Sequence, residues 1–206
     1  MPMRKSVYGV HPSVPMVQKM MAGLKSKTGR SLEEWISAVK MSGPKSEKER
    51  REWLRQEHGV PTQSAVWIVE RADGGGGDLD SPEQYLASAE RYVDEMFSGK
   101  KAALRPLYEE LLKVGFSMGK DVKACPCTTM VPLYRNHVFA QIKPATQTRI
   151  DLGFALGARK AEGRLIDTGG YAKKDRITHR IPIESAKDID AEVRNWLKTA
   201  YEADAK

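Results

Sequence analysis

Cysteine is scarce in this sequence, which contains only Cys125 and Cys127 among 206 residues. A disulfide between them is sterically poor because a single proline separates them, and so few cysteines are typical of a reducing compartment. No apolar run approaches the ~20 residues that a membrane-spanning helix needs, and residues 1–15 lack the continuous apolar segment of a signal peptide. We therefore expect reduced thiols, no membrane partner and a cytoplasmic location.

The sequence motifs of the common enzyme classes are also missing. There is no GxSxG nucleophile elbow, and the glycine run Gly74–Gly77 lacks the Lys-Ser/Thr that follows in a phosphate-binding loop. Asp167–Gly170 resembles half of an aspartic-protease signature, but a lone aspartate does not form a catalytic dyad. We therefore predict no catalytic residue and a protein that is not an enzyme of these classes, although a site built from carboxylates would leave no spacing motif.

A metal site is also not expected from the composition. Cys125 and Cys127 could bind structural zinc only with two further ligands, and His137 and His179 are the pair that neighbouring strands could supply. The CxC spacing is less usual than CxxC, so two part-buried thiols in a strand are the favoured interpretation. The sequence predicts no metal and no cofactor.

The net charge of +7 is distributed unevenly along the chain. Residues 1–72 hold 13 Lys and Arg against 7 Asp and Glu, and residues 99–185 hold 16 against 8. Residues 73–98 between them hold 1 against 7. Two basic regions favour attraction to a polyanion, whereas a solvated lysine-rich surface explains the same pattern equally well.

Residues 1–72 carry the pattern of four short helices, which predicts a small helical bundle domain. Ser31 with Glu34 and Ser46 with Glu49 form capping boxes that mark the second and third helices. The turn between the third and fourth helices is short enough for a helix-turn-helix. However, the fourth helix is mostly apolar where bases would be read, so two packed helices are the favoured interpretation.

The four consecutive glycines within residues 73–80 predict a linker, because such a run cannot hold a helix or a strand. Residues 81–206 then mix helical and strand patterns. Helices are predicted to begin near Pro82 and Pro106, and Ser185 with Asp188 is predicted to cap the last helix. The predicted fold class is α+β, with a mostly antiparallel sheet packed by helices.

The centre of this second domain is the segment Thr129–Leu156, whose apolar residues keep a period of two and predict a three-stranded antiparallel meander. A tight turn at Arg135 and Asn136 would pair Leu133 with Val138. A looser turn would pair Ile142 with Ile150. The face opposite the apolar one would be mixed and would carry Tyr134, His137, Phe139, Gln141, Lys143, Arg149 and Asp151.

Aromatic rings beside cations on a sheet can stack bases and neutralise phosphates. A loop with paired glycines at residues 169–176 adds one tyrosine and three cations, Arg176 among them, to those of the meander. The candidate ligand-binding residues are Tyr134, Arg135, His137, Gln141, Lys143, Arg149, Asp151, Tyr171, Lys173 and Lys174. They predict a non-enzymatic binding module for an anionic partner, nucleic acid in particular. One alternative is a small-molecule-binding protein or unrecognised enzyme on the mixed face. Another is an interaction protein whose exposed Tyr134 and Phe139 meet another protein chain.

Four segments of the chain resemble a family of uncharacterised two-domain bacterial proteins. TGRSLEEWISAVK and HGVPTQSAVWIV are similar to its small N-terminal domain. HVFAQIKPATQTRIDLGFAL and IPIESAKDIDAEVRNWLKTAYE are similar to the domain of unknown function that often follows it, and this part also resembles small α+β domains called YdhG-like. The resemblance covers residues 25–204. It implies the two-domain division and the fold, and it supplies no catalytic residue.

Overall fold

The computed structural model describes residues 6–205, which divide into two compact units. Residues 11–85 form a helical unit, and residues 6–10 combine with residues 86–205 into a sheet unit. The α-helices are α1 Ser13–Ala22, α2 Leu24–Thr28, α3 Leu32–Ser42, α4 Glu47–Gln56, α5 Thr62–Ala72, α6 Pro82–Met96, α7 Arg105–Phe116 and α8 Ala191–Ala203. The strands are β1 Lys123–Ala124, β2 Val131–Tyr134, β3 Val138–Pro144, β4 Ile150–Phe154, β5 Ile166–Asp167 and β6 His179–Ile183.

Short 3-10 helices at Gly99–Leu104 and Ala186–Asp188 precede α7 and α8. The predicted α+β class is confirmed, since a helical region is followed by an antiparallel sheet packed with helices. Between residues 6 and 205, every helix is too short or too polar to cross a bilayer.

The helical unit is held together by an apolar core and by two capping boxes. The Ser31 and Ser46 side chains accept hydrogen bonds from the Glu34 and Glu49 backbone N–H groups, as predicted. Each box satisfies donors that the first helical turn leaves unpaired. The predicted first helix is divided into α1 and α2 at Gly23. The buried core residues are Leu24, Trp35, Val39, Leu54, Val60, Ala65, Ile68, Val69 and Ala72.

The glycine segment at residues 73–80 folds back on α5. The Gly75 N–H donates to the Glu70 carbonyl at 2.9 Å, and Arg71 forms an ion pair with Asp80. Gly74, Gly76 and Gly77 within it have positive φ angles, which favour glycine. The predicted boundaries of 1–72, 73–80 and 81–206 stay a prediction, for which proteolysis is the test.

The six strands of the sheet unit run in the order β1-β2-β3-β4-β6-β5, and all neighbours are antiparallel. The predicted register was wrong by two residues at both turns. Leu133 pairs with Ala140 instead of Val138, and Ile150 pairs with Pro144 instead of Ile142. Where the pairing is regular, a shift of two keeps a side chain on its predicted face, because the side-chain period of a strand is also two. The apolar pattern therefore could not distinguish the two registers.

One face of the sheet is apolar and packs against helices. A Cβ on Gly115 of α7 would lie 2.6 Å from Leu133 Cδ1, so α7 approaches β2 with its backbone. Helix α8 packs on β3 and β4. It begins with Asp190 as its N-cap, whereas Ser185 and Asp188 cap the preceding 3-10 helix; the predicted start of the last helix at Ser185 was therefore wrong.

Phe139 differs from the prediction because the pairing of β2 with β3 is irregular there. Leu133 pairs with Ala140 and Tyr134 with Val138, which leaves Phe139 as an extra residue in β3. Such a bulge redirects a side chain. The Phe139 ring is fully buried, with its centroid 5.6 Å from that of Tyr201 on α8. Phe139 is therefore not an exposed residue of the mixed face, and the alternative of an interaction protein loses one of its two aromatic residues.

Candidate functional site

The structure places nine of the ten predicted ligand-binding residues in three groups, and the tenth, Tyr134, at the end of β2. One face of the sheet carries Gln141, Lys143, Arg149 and Asp151. Arg180 lies on the same face, and we call these five residues the charged face. Tyr171, Lys173 and Lys174 belong to the glycine loop, residues 169–176. Arg135 and His137 lie in the turn between β2 and β3.

Asp151 is the centre of the charged face. Its Oδ1 lies 3.0 Å from Arg149 Nε and accepts a hydrogen bond from Arg180 Nη1 at 3.1 Å. Lys143 lies directly across from Asp151 in the pairing of β3 with β4. The Asp151 side chain is only 17% exposed. This partly buried carboxylate therefore holds the guanidinium groups of Arg149 and Arg180 in place.

The Arg149 side chain is only partly satisfied by this arrangement. Its Nε is close to Asp151, but the N–H is not directed at the carboxylate oxygen, and it has no hydrogen-bond partner among residues 6–205. A buried N–H without an acceptor costs free energy. The Nε itself is enclosed, but the Arg149 side chain is 31% exposed, so the rest of its guanidinium can meet an anionic group.

The glycine loop is tightly folded. Its Gly170 carbonyl accepts hydrogen bonds from the Lys173 and Asp175 N–H groups at 3.1 and 2.9 Å. A Cβ on Gly170 would clash with the Ile177 carbonyl oxygen, so only glycine fits there. Within the described part of the chain, Lys174 is the only residue other than glycine with a positive φ, at 60°. Such backbone conformations are often found at functional sites.

The glycine loop forms one wall of a cavity of about 590 Å³. Its lining residues are Ala155, Gly157, Tyr171, Ala172, Lys174, Asp175, Arg176 and Thr178. Ala155 and Thr178 continue the alternation of Asp151 and Arg180, so the cavity lies at one end of the charged face. Tyr171 is 61% exposed, which leaves its ring available for a stacking partner.

Two contacts position Arg176, one with a backbone carbonyl and one with a side chain. Its Nε donates to the Val138 carbonyl at 2.8 Å, and its Nη2 forms a charged hydrogen bond with Asp204. The Nη1 group has no protein acceptor within residues 6–205, so it remains able to bind an anion. Arg176 is thus a fixed cation at the edge of the cavity.

The turn residues Arg135 and His137 serve the fold. Arg135 donates to Asp121 at 2.9 Å and to the Tyr201 carbonyl at 3.1 Å, and its guanidinium lies 4.2 Å from the centre of the Tyr201 ring. The His137 N–H donates to Asp204 at 2.8 Å, and its Nδ1 lies 3.2 Å from Asp204 Oδ1, although the side chain is 73% exposed. Both turn residues are therefore engaged by other parts of the sheet unit.

Tyr134, the last residue of β2, lies beside the two thiols. Burial, followed by the neighbouring Cys125 and Cys127, raises the pKa of the Tyr134 hydroxyl to about 12. Burial also raises the pKa of Cys125 to about 12. Both groups therefore stay protonated and neutral near pH 7. Among residues 6–205, no three His, Cys, Asp or Glu side chains come together as metal ligands would.

The sequence analysis missed Arg180. Its signal was present in the alternation of residues 177–183, where Arg180 falls between the buried His179 and Ile181. Strand alternation places such a residue on the opposite face, but only the pairing of β4 with β6 brings it to Asp151.

The chain matches two family models. Residues 93–204 match the domain of unknown function DUF5655, and residues 16–74 match the domain of unknown function DUF4287. No curated protein and no solved structure matches the chain. The predicted pair of uncharacterised domains is confirmed by these matches, and the similarity to YdhG-like domains stays a prediction.

Proposed function

Because this chain belongs to the family of the domain of unknown function DUF5655, whose description states no activity, we propose its function from the geometry of the sheet unit. The protein is a non-enzymatic binding module for nucleic acid. One nucleotide unit binds in the glycine-loop cavity, and the strand continues along the charged face. The observation that carries this proposal is the convergence of an exposed tyrosine ring and two cations on one cavity.

The chemistry of the cavity suits a phosphate attached to a planar ring. A volume of about 590 Å³ falls within the range of roughly 300–1,000 Å³ that is usual for small-ligand sites. The exposed Tyr171 ring can stack on a base, and Lys174 with Arg176 Nη1 can neutralise a phosphate. The Asp175 carboxylate on the same wall can accept a hydrogen bond from a base amino group.

The charged face gives the strand a path beyond the cavity. Ala155, the residue after β4, is four positions beyond Asp151, a distance of about 13 Å at the usual rise of a strand. Arg149, Arg180 and Lys143 lie at the Asp151 end, and the Arg149 and Arg180 side chains are each 31% exposed. A single strand that stacks at Tyr171 can therefore place a second phosphate near Arg149.

The deciding experiment is a titration of the full chain with fluorescent single-stranded DNA and RNA at two salt concentrations. Each neutralised phosphate contributes about −0.7 to the slope of log K against log[salt] for single strands, so three or four contacts predict a slope of about −2 to −3. Tyr171→Ala should weaken binding by about tenfold or more through lost stacking. Lys174→Ala should flatten the slope, whereas Lys120→Ala, at an exposed position outside the site, should change neither.

Adenosine monophosphate and inorganic phosphate form the second arm of this experiment. If the mononucleotide binds as tightly as a strand and with a flat salt dependence, the site is a small-molecule site and the charged face is not used. If neither the single strands nor the mononucleotide bind at low salt, the proposal is excluded.

A further inference from the structure

A second cavity, of about 700 Å³, lies within the sheet unit and outside the site described above. The N-terminal segment 6–8 forms one wall, and α6 and α7 form the others. Its lining residues are Ser6, Val7, Tyr8, Glu90, Arg105, Tyr108, Glu109, Leu112, Lys113 and Phe116. A volume of this size is far larger than the small voids left by normal side-chain packing.

Two tyrosine hydroxyls form the polar centre of this cavity. Tyr8 Oη and Tyr108 Oη are 3.0 Å apart, and both residues are buried. The Phe97 ring stacks on Tyr108 at 4.6 Å between centroids, which fixes the orientation of that ring. Burial raises the pKa of both hydroxyls, so each keeps its proton near pH 7.

The tyrosine pair has two O–H donors, and only one of them is used in the hydrogen bond between the two hydroxyls. Each hydroxyl carries a single O–H, and the bond between the two consumes only one of them. No acceptor for the other O–H is present in the part of the chain that the structure describes. A buried donor without an acceptor is costly, so the pair presents a spare donor to whatever fills the cavity.

The charges at the rim of the cavity are balanced. Arg105 binds Asp94 at 2.9 Å and Glu109 at 3.1 Å, and Glu90 accepts a hydrogen bond from Ser6 Oγ at 2.7 Å. Lys113 supplies the second cation. A carboxylate ligand would meet Glu90 and Glu109, and an ammonium ligand would meet Arg105 and Lys113. Neither charge is favoured, while Val7, Leu112 and Phe116 supply apolar surface.

We infer that this cavity binds an uncharged, largely apolar small molecule whose carbonyl-type oxygen accepts the spare phenolic O–H of the pair formed by Tyr8 and Tyr108. This site is independent of the nucleic-acid proposal, because none of its lining residues belongs to the charged face or to the glycine loop.

The test uses four naphthalenes that share one ring system and differ in one substituent. They are 2-acetylnaphthalene, 2-ethylnaphthalene, 2-naphthoate and 2-(aminomethyl)naphthalene, each titrated against the full chain loaded with the fluorescent probe N-phenyl-1-naphthylamine. The acetyl compound should displace the probe at a concentration roughly 3- to 10-fold lower than the ethyl compound, the difference that one net hydrogen bond provides. Both charged compounds should be weaker than the acetyl compound.

Phenylalanine variants locate the donor. Tyr8→Phe and Tyr108→Phe each leave one hydroxyl that can donate, so both single variants should keep the preference for the acetyl compound. The double variant should bind acetyl and ethyl compounds equally. Tyr201→Phe is the matched control, because it removes a tyrosine hydroxyl of the same unit that donates to Asp121 instead.

Four results would overturn the inference. They are no saturable displacement by the acetyl compound, equal binding of the acetyl and ethyl compounds by the wild type, tighter binding of either charged compound than of the acetyl compound, and a double variant that keeps the preference. Methyl chemical shifts of Val7 and Leu112 should change on addition of the acetyl compound. This measurement places the ligand in the cavity even if the double variant fails to fold, and unchanged shifts would place it elsewhere.

Discussion

The Arg176 guanidinium forms a charged hydrogen bond with the Asp204 carboxylate, whose side chain is only 2% exposed. The same carboxylate accepts the Asn136 and His137 N–H groups at 2.9 and 2.8 Å. Asp204, the residue that follows α8, therefore holds both the glycine loop and the turn between β2 and β3. The position of the Arg176 cation at the cavity depends on this contact.

Asp204→Asn should destabilise the protein and loosen the glycine loop. It leaves Arg176 without its anionic partner, and because Arg176 is half exposed we expect a loss of about 2–3 kcal/mol, below the full cost of breaking a buried ion pair. Urea unfolding measures the change. Glu202→Gln on α8 is the control, since its exposed pair with Lys198 should contribute less than about 0.5 kcal/mol. Equal stability of the two variants would contradict this role for Asp204.

Asp151→Asn separates the two ways in which the charged face could act. The substitution removes the anion that neutralises Arg149 and Arg180. If the face binds phosphates, single-stranded DNA should bind more tightly at low salt and with a steeper salt dependence. If Asp151 instead contacts a small ligand, binding should fall. Fluorescence titration at two salt concentrations reads out the difference, with Lys120→Ala again as the control.

Gly170→Ala should disrupt the glycine loop through its volume alone. The added methyl group would clash with the Ile177 carbonyl, which cannot move freely because it belongs to the backbone. We expect a loss of stability of about 1–3 kcal/mol and weaker nucleic-acid binding. Gly23→Ala provides the comparison, because a Cβ there is 3.4 Å from its nearest neighbour and the φ of −84° is ordinary. Unchanged binding by Gly170→Ala would show that the loop is not part of the site.

The ion pair of Glu192 with Arg164 should make part of the free energy of unfolding pH-dependent in the acidic range. Hydrogen bonds from the Arg164 side chain and then from its N–H lower the pKa of the Glu192 carboxyl below its usual value of 4.5. A lowered pKa stabilises the fold above that usual value, and the stabilisation is lost as the pH falls through the lowered pKa. Glu192→Gln should therefore lose less stability than the wild type when urea unfolding is compared between pH 6 and pH 3. A parallel loss in both proteins would rule this out.

Limited proteolysis should cut the chain near Gly74–Asp78. A Cβ on Gly74 would have no neighbour within 4 Å, and four consecutive glycines have no side chains to bury. Asp80→Ala removes the ion pair with Arg71 and should speed the cut. Mass spectrometry of the products identifies the position. A first cut inside Val138–Leu152 would instead mean that the sheet is not a compact unit.

The apolar side of the sheet was predictable from the sequence because alternation decides which face a residue occupies. The register was not, since Leu133 finds an equally apolar partner at Val138 or Ala140. The capping boxes at Ser31 and Ser46 were predictable because all their atoms lie within one helical turn. The irregular pairing that buries Phe139 has no such local signal.

The candidate site was only partly predictable for a similar reason. Tyr171 and Lys174 were found because they share a loop with paired glycines. Arg135 was misjudged as available, because its partners Asp121 and Tyr201 are distant in sequence. The cavity at Tyr8 and Tyr108 was missed altogether, since these residues are 100 positions apart and neither belongs to a motif.

The first residues of the described chain belong to the sheet unit, where the Gly9 N–H donates to the Ala124 carbonyl at 2.9 Å. In terms of connectivity, the helical unit is therefore an insertion, entered after residue 10 and left after residue 85. Shortening the chain from its N-terminus to isolate the second family domain would also remove Tyr8 and Gly9 from the unit to which they contribute. An intact sheet unit without its helical neighbour requires an internal deletion that joins residue 10 to residue 86.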